Sequence, residues 1–256
     1  MILAIDIGNT NIVIGCVDQE KIHFIERLST VRTKTELEYA VDIKTVLDIY
    51  HINKDEIEGC MISSVVPQIT NIAKLAAEKI VNKEVIVLGP GVKTGLNIKM
   101  DNPASLGADL VADAVAGIAE YSAPMIIIDM GTATTASVVD ENKQYIGGMI
   151  LPGVGVSLDA LTSRASQLSG ISIEEPKHVI GKNTIDCMKS GVLYSNAGAI
   201  DGIIDRIEEE LGQKTTVIAT GGLAKKIVPF CKRDIILDED LMLKGLLIIY
   251  EKNKEK

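Results

Sequence analysis

The chain opens with an apolar run that leads into an acidic residue and a glycine. Residues 2–7 are apolar except for Asp6, and Gly8 follows directly. A continuous run of this kind predicts a strand that is buried on both faces. The same pattern returns 123 residues later, where the apolar run 125–130 contains Asp129 and precedes Gly131.

The repeat continues past the two glycines. Val17 and Asp18 match Val139 and Asp140, but these pairs are 122 residues apart, so the second copy has lost one residue in between. Each copy predicts a strand, an acidic turn, two further strands and then crossover helices around a mixed sheet. The chain therefore divides into two related α/β halves, residues 1–122 and 123–256.

In the segments between the predicted strands, apolar residues recur at helical spacing. Thr35 and Glu38 form a capping box before a helix that ends near residue 49. Its apolar stripe is predicted to run at i+4 spacing through Leu37, Val41, Thr45 and Ile49. Residues 89–102 are expected to be irregular. Further helices are predicted at 69–81, from 103 or 106 to 121, at 154–166, at 184–211 and at 239–250, before a charged tail at 251–256.

Composition narrows the possible functions. Of 256 residues, 46% are hydrophobic and 24% charged, which is typical of a globular protein, and the net charge is −9. An acidic chain gains nothing from steering toward nucleic acid or anionic membranes, so neither is an expected partner. No apolar run approaches the length of a membrane span. The four cysteines show no CxxC spacing, which favours reduced thiols in the cytoplasm.

The first acidic turn has the composition of a phosphate site. Gly8 permits a positive φ or a close approach of the backbone, and Asn9–Asn11 supply donors. A carboxylate such as Asp6 beside phosphates would hold magnesium or its waters. Taken alone, the same residues also fit an ordinary hairpin turn. The repeat at Asp129 favours ligand binding, because matched turns in two halves predict a nucleotide cleft between them.

Other segments add to this interpretation. The loop that follows Asp129 could donate to the other side of a phosphate chain, and Gly221 and Gly222 could lie against a base or ribose. A general base is expected at the start of the helix near residue 108. Asp109 and Asp113 lie one turn apart there, and physical reasoning alone does not choose between them, but Gly107 favours an open approach to Asp109. The chain contains no P-loop and no dinucleotide-binding glycine pattern.

Together these motifs resemble the acetate and sugar kinase, heat-shock ATPase and actin superfamily, whose members have two ribonuclease-H-like domains with the active site in the interdomain cleft. Along nearly its whole length the chain resembles type III pantothenate kinases. The order and spacing of several short segments carry the resemblance: residues 6–10 (DIGNT), 63–67 (SSVVP), 107–109 (GAD), 129–132 (DMGT), 147–153 (GGMILPG), 181–184 (GKNT) and 200–202 (IDG).

The resemblance implies ATP-dependent phosphorylation of pantothenate, the first step of coenzyme A synthesis, by a homodimer. It implies Asp109 as the proton acceptor, magnesium held by Asp6 through ATP, and potassium or ammonium at Asp129. The implied ATP-binding residues are Asp6, Ile7, Gly8, Asn9, Thr10, Asn11, Ile12, Val13 and Thr132. The implied pantothenate-binding residues are Met100, Gly107, Ala108, Asp109, Leu110 and Thr184.

Two positions depart from the family pattern. Leu110 stands where the family usually has Arg, and Met100 stands where it often has Tyr. Loss of a charged hydrogen bond to a carboxylate costs about 1.5–3 kcal/mol. The alternatives are therefore a kinase for a different small hydroxyl acceptor, or a nucleotide-binding regulatory protein without turnover.

Overall fold

A computed structural model of the chain describes residues 1–254. It contains two mixed β-sheets flanked by helices, which confirms the predicted α/β class. Contacts group the described chain into two compact units. Unit 1 consists of residues 1–96, 101–119 and 240–254, and unit 2 consists of residues 97–100 and 120–239. The boundary expected after residue 122 stays a prediction.

The sheet of unit 1 has the strand order β3-β2-β1-β4-β5. β1 pairs antiparallel with β2 and parallel with β4. Because β1 is central, its apolar residues are buried on both faces, as the opening run predicts. The five strands are β1 (Ile2–Ile7), β2 (Asn11–Val17), β3 (Ile22–Ser29), β4 (Cys60–Ser64) and β5 (Val85–Val87).

The sheet of unit 2 has the order β11-β10-β7-β8-β9-β6. β7 occupies the position of β1, because it pairs antiparallel with β8 and parallel with β10. The two-residue strand β6 lies in a segment that was expected to be irregular. The six strands are β6 (Asn97–Ile98), β7 (Met125–Met130), β8 (Ala133–Val139), β9 (Gln144–Pro152), β10 (Thr216–Thr220) and β11 (Ile236–Leu237).

Seven α-helices are present in the described residues, and their positions follow the predicted periodicity closely. The C-terminal helix continues three residues past its expected end, into the predicted charged tail, of which residues 255–256 lie outside the described chain. The helices are α1 (Glu36–Ile49), α2 (Pro67–Val81), α3 (Ala108–Glu120), α4 (Val154–Arg164), α5 (Thr184–Leu211), α6 (Ala224–Ile227) and α7 (Leu241–Asn253). No helix among the described residues has the length and apolar character needed to cross a membrane.

The alternation of β1 directs its residues to two helical layers. Leu3, Ile5 and Ile7 belong to the same buried cluster as residues of α1 and α2. Ala4 pairs with Gly15, and a Cβ at Gly15 would meet the Leu243 side chain of α7. Even-numbered positions therefore face α7. This alternation places Asp6 on the same side of the sheet as α7.

The expected apolar stripe of α1 was wrong. Leu37, Val41 and Ile49 are 63%, 55% and 63% exposed, whereas the buried positions are Tyr39, Ala40, Ile43, Val46 and Leu47. A strict i+4 repeat drifts around a helix of 3.6 residues per turn, so it leaves the core-facing side. The buried set combines i+3 and i+4 steps. The capping box of Thr35 and Glu38 is confirmed.

Helix α7 packs so closely on α3 that only glycine fits at residue 245. A Cβ on Gly245 would lie 2.0 Å from the backbone oxygen of Ala112, and a backbone atom cannot move aside cheaply. We expect Gly245→Ala to lower the free energy of unfolding by about 1–3 kcal/mol, measured by chemical denaturation.

Gly198→Ala is the matched control. Gly198 lies inside α5 with no heavy atom within 4 Å of a built Cβ. The same substitution should raise stability there by about 0.5–1 kcal/mol, because alanine favours the helix. Equal effects at both positions would contradict the close α3–α7 packing.

Candidate active site

The first acidic turn is closed by a close backbone approach. The Gly8 amide donates to the Asn11 carbonyl oxygen at 3.0 Å, and a Cβ on Gly8 would lie 3.0 Å from the same oxygen. Gly8 is therefore required for space, and its φ is not in the left-handed region. Asn9 and Thr10 are exposed at the tip of the turn. An anion could meet backbone donors at this tip, in the manner of a backbone nest.

A hydroxyl group lies beside the Asp6 carboxylate. Ser63 on β4 is the parallel register partner of Asp6, so the two side chains share a face of the sheet. Ser63 is fully buried, and its Oγ has no hydrogen-bond partner among the described residues. A buried polar atom of this kind calls for an explanation. Sequence reasoning assigned Ser63 no role, although alternation along β4 was the signal that could have found it.

Asp109 is the second residue of helix α3, and its carboxylate folds back onto the first turn of the helix. Its Oδ1 accepts from the Leu110 amide at 2.8 Å, and a Cβ on Gly107 would lie only 2.3 Å from that oxygen. Burial raises the pKa of Asp109, and hydrogen bonds from Leu110 and its own amide oppose that increase. Asp109 is nevertheless partly accessible to solvent. A partly buried carboxylate with a raised pKa is the form that a general base takes.

Asp113 differs from Asp109 in accessibility. Its side chain is only 1% exposed, in a stretch of α3 where residues 111–117 are all buried. An acceptor molecule reaches a carboxylate only through an open face. Of the two candidates that the sequence left open, Asp109 alone has such a face in this structure.

Val65 connects Asp109 with the first acidic turn. Its amide donates to the Ile7 carbonyl at 3.0 Å, and its side chain lies 3.7 Å from the position of a Cβ on Gly107. Val65 follows β4 directly, so it leaves the sheet at the edge where β1 ends. The start of α3 and the Asp6–Gly8 turn therefore border the same part of unit 1.

The second acidic residue, Asp129, is flanked by two hydroxyl residues in unit 2. Thr135 on β8 and Thr220 on β10 are its register partners on either side. Thr220 is 4% exposed, and the buried Thr135 Oγ1 has no hydrogen-bond partner among the described residues. A Cβ on Gly221 would lie 2.3 Å from the Asp129 Oδ1, and Gly221 has φ +91°. Only glycine allows this approach to the carboxylate.

The second turn is one residue shorter than the first. Asp6 pairs with Val13, whereas Asp129 pairs with Thr135, and the Gly131 amide donates to the Ala133 carbonyl at 3.0 Å. The residue missing from the second copy was therefore lost in the turn itself. The shorter turn presents fewer backbone donors than the first.

The remaining predicted site residues are spread over both units. Thr132 is exposed, and its carbonyl accepts from the Gly153 amide at 3.1 Å. Met100 is half-buried just after β6, and Thr184 is exposed at the first residue of α5. Leu110 is half-buried beside Asp109. Unit 1 thus brings together residues 6–13 with 107–110, and unit 2 holds Met100, Asp129, Thr132 and Thr184.

A family model and the sequence relatives of this chain agree on one protein family. A family model described as type III pantothenate kinase matches residues 2–206. A type III pantothenate kinase of an Exiguobacterium species is 46% identical over 255 residues, covering 100% of both chains. The same enzyme of Bacillus cytotoxicus is 46% identical over 253 residues, covering 99% of this chain and 97% of the relative.

Solved structures show the same fold at lower identity. A Campylobacter jejuni protein described as a Baf family transcriptional activator superposes with a TM-score of 0.61 at 19% identity, covering 98% of each chain. A Sinorhizobium meliloti protein described as a 2-dehydro-3-deoxygalactonokinase gives a TM-score of 0.57 at 10% identity, covering 100% and 99%. Such similarity supports the fold of the sugar kinases and actin-like ATPases.

The raised pKa of Asp109 predicts a pH-dependent effect on stability. Because burial disfavours the charged form in the folded state, the carboxylate destabilises the fold when the pH is well above its pKa. We expect Asp109→Asn to raise the thermal unfolding midpoint at pH 7. The gain should shrink as the pH falls toward the ordinary aspartate pKa of 3.8.

Asp101→Asn is a control for the change of charge. Asp101 is exposed in the segment before α3, and its substitution should change stability by less than about 0.5 kcal/mol. A gain at Asp109 that is the same at every pH would show that burial of charge is not its cause.

Proposed function

The chain belongs to the type III pantothenate kinase family, and we propose from this premise how its residues transfer the γ-phosphoryl group of ATP to pantothenate. The acceptor hydroxyl oxygen forms a bond to the γ-phosphorus while the bond from that phosphorus to the leaving ADP oxygen breaks. The hydroxyl proton passes to a carboxylate. Catalysis of this reaction consists mainly of positioning and charge stabilisation.

The observation that carries the proposal is the position of Asp109. Its carboxylate is partly buried with a raised pKa, and Val65 connects it to the Asp6–Gly8 turn. We assign Asp109 as the base that orients the acceptor hydroxyl and accepts its proton. The base must be deprotonated, so turnover should fall as the pH drops below its raised pKa.

Residues 6–13 and Thr132 form the proposed ATP site. The exposed tip of the first turn, at Asn9 and Thr10, offers amide donors without the lysine of a P-loop. These donors are neutral. Backbone and side-chain donors in a turn of this kind suit phosphate oxygens. Thr132 adds a hydroxyl from the second turn.

The residues around both acidic turns fit the cations that the family implies. Asp6 and the Ser63 hydroxyl supply oxygen atoms, and magnesium commonly takes one or two carboxylates together with substrate phosphates. Asp129 lies between two threonine residues, which gives a set of oxygen donors for potassium or ammonium. Bound magnesium would neutralise charge that develops on the phosphates.

Pantothenate is proposed to contact residues 107–110, Met100 and Thr184. Leu110 lacks the guanidinium that the family pattern provides, so the carboxylate of pantothenate loses that partner in this chain. Neutral donors near the start of α3 must then hold the acceptor. A different small hydroxyl acceptor is the second candidate, and the Leu110 and Met100 substitutions are the observation that favours it.

A homodimer is the proposed assembly. Unit 2 exposes several large aliphatic side chains, which are Ile150 (79% exposed), Val179 (62%), Ile180 (80%) and Ile185 (52%). A homodimer that covered these side chains would remove their apolar surface from water. Thr184 adjoins Ile185 in sequence, which supports a substrate contact made next to the interface. The free thiols of all four cysteines fit the cytoplasm, where we place the enzyme.

The central prediction is tested by release of ADP. Wild-type protein with magnesium and ATP should release ADP faster when pantothenate is added in potassium buffer, and less so in sodium buffer. Asp109→Asn should lower kcat by about 10²–10⁴-fold while ATP binding stays intact, because the base is lost but the phosphate turn is not.

Asp101→Asn serves again as the charge-matched control, and it should keep full activity. No stimulation of the wild type by pantothenate in potassium would contradict the assigned substrate. Normal turnover by Asp109→Asn would move the role of the base to another residue.

The assembly has its own test. Ile180→Asp should convert the dimer to monomers at micromolar concentration, measured by sedimentation equilibrium, because a carboxylate would be buried in the interface. Ile49→Asp is the matched control, since Ile49 is 63% exposed in unit 1. A wild-type monomer, or a dimer that survives Ile180→Asp, would contradict this interface.

A further inference from the structure

We infer that Arg32 binds the phosphate chain of the nucleotide from a segment that is fastened across the first acidic turn. This segment, residues 30–35, connects β3 to α1 and is called the strap below. The inference rests on the proposed ATP site at residues 6–13. It adds to that site a charged residue that the turn itself does not contain.

The strap is attached to the turn at its first residue. The Thr30 amide donates to the Thr10 carbonyl at 3.0 Å, and the Thr30 hydroxyl donates to the Gly8 carbonyl at 2.6 Å. Both acceptors are backbone atoms of the acidic turn. Thr30 therefore fixes where the strap begins relative to the phosphate donors.

The rest of the strap is attached to Tyr39 and to the start of α1. The hydroxyl of Tyr39, a residue only 2% exposed, donates to the Val31 carbonyl at 2.8 Å and accepts from the Val31 amide at 3.3 Å. Thr35 then enters the capping box of α1. With these attachments on both sides, the exposed Arg32 projects from a defined backbone position.

Arg32 points to the turn. Its Nη2 donates to the Asn9 Oδ1 at 3.2 Å, and no carboxylate lies within ion-pair distance of it in the described part of the chain. The other cation of the strap, Lys34, is engaged by Asp42 at 2.5 Å and lies over the Tyr39 ring. Of the two cations of the strap, Arg32 is thus the one that no carboxylate pairs with in the described part of the chain.

The contact also orients Asn9. A guanidinium only donates hydrogen bonds, so the Asn9 side chain must present its oxygen to Arg32 and its amide nitrogen in the opposite direction. That nitrogen is a donor at the exposed tip of the turn. Arg32 therefore contributes its own charge, and it orients the Asn9 amide nitrogen so that this neutral donor can bind an anion.

Phosphate is the anion that this placement favours. Arginine binds phosphate oxygens in a bidentate manner, and charge-assisted hydrogen bonds are about twice as strong as neutral ones. The guanidinium contacts the phosphate turn itself, and the net charge of −9 leaves a polyanion no general attraction to the protein. A carboxylate of the acceptor is the other anion in the reaction, and the test separates the two.

The test compares nucleotides that differ in phosphate number. Arg32→Gln should weaken ATP binding by about tenfold or more, as expected for loss of one charge-assisted hydrogen bond. ADP should be weakened less and adenosine hardly at all. Arg32→Lys should give an intermediate loss, because it keeps the charge without the bidentate geometry. The measurement is titration calorimetry at two salt concentrations, and the variant should show a smaller salt dependence.

Lys44→Gln provides the matched control. Lys44 is exposed on α1, and its substitution changes the net charge by the same amount. It should leave every nucleotide affinity unchanged. Thermal unfolding without nucleotide should be the same for Arg32→Gln and wild type, which separates a loss of binding from a loss of folding.

Four outcomes would overturn the inference. Unchanged ATP affinity in Arg32→Gln, while the wild type phosphorylates pantothenate, would overturn it and leave the proposed function standing. A raised KM for pantothenate with normal ATP affinity would assign Arg32 to the acceptor carboxylate. A fall in kcat with normal affinity for both substrates would exclude ground-state binding. Absence of ATP binding by the wild type would overturn both the inference and the proposed function.

Discussion

The arrangement of the site depends on glycines that leave room for carboxylates. A methyl group on Gly107 would lie 2.3 Å from an oxygen of Asp109, and one on Gly221 would lie 2.3 Å from an oxygen of Asp129. Gly107 directly precedes the helix that carries Asp109, whereas Gly221 follows β10, the strand that pairs with the strand of Asp129. The two carboxylates can therefore lie close to backbone atoms and be partly shielded from water. Electrostatic interactions of their charges are stronger there than in solvent.

The duplicated halves use the same frame for different purposes. In both, an acidic residue near the end of a central strand has a hydroxyl residue on its parallel neighbour, Ser63 beside Asp6 and Thr220 beside Asp129. The antiparallel neighbour differs, being Val13 in one half and Thr135 in the other. The second half thus offers more oxygen ligands but a shorter turn, which suits a cation better than a phosphate chain.

Periodicity over long segments predicted the fold, because burial on both faces of a strand leaves a strong apolar signal. The bounds of α5, for example, are those expected from the sequence. The stripe of α1 was wrong, because alternative apolar sets occur on the same helix and only tertiary packing selects between them. β6 was missed, because a two-residue strand carries no periodicity and exists only by pairing with β9.

The candidate site was predictable where a motif is continuous in sequence and unpredictable where packing creates it. The acidic turns were predicted from two matching stretches, residues 2–11 and 126–135. Gly107 was a local signal for the accessibility of Asp109, but two features had none: the connection through Val65 and the approach of Arg32 to Asn9. The last of these changes how charge is distributed. In the proposed site, Leu110 leaves the acceptor side without the arginine of the family pattern, while the strap adds a cation on the nucleotide side. Since screening confines electrostatic attraction to about 8 Å at physiological salt, the position of each single cation matters more than the net charge. In the proposed site, charge therefore recognises the nucleotide, and shape and neutral hydrogen bonds are left to recognise the acceptor.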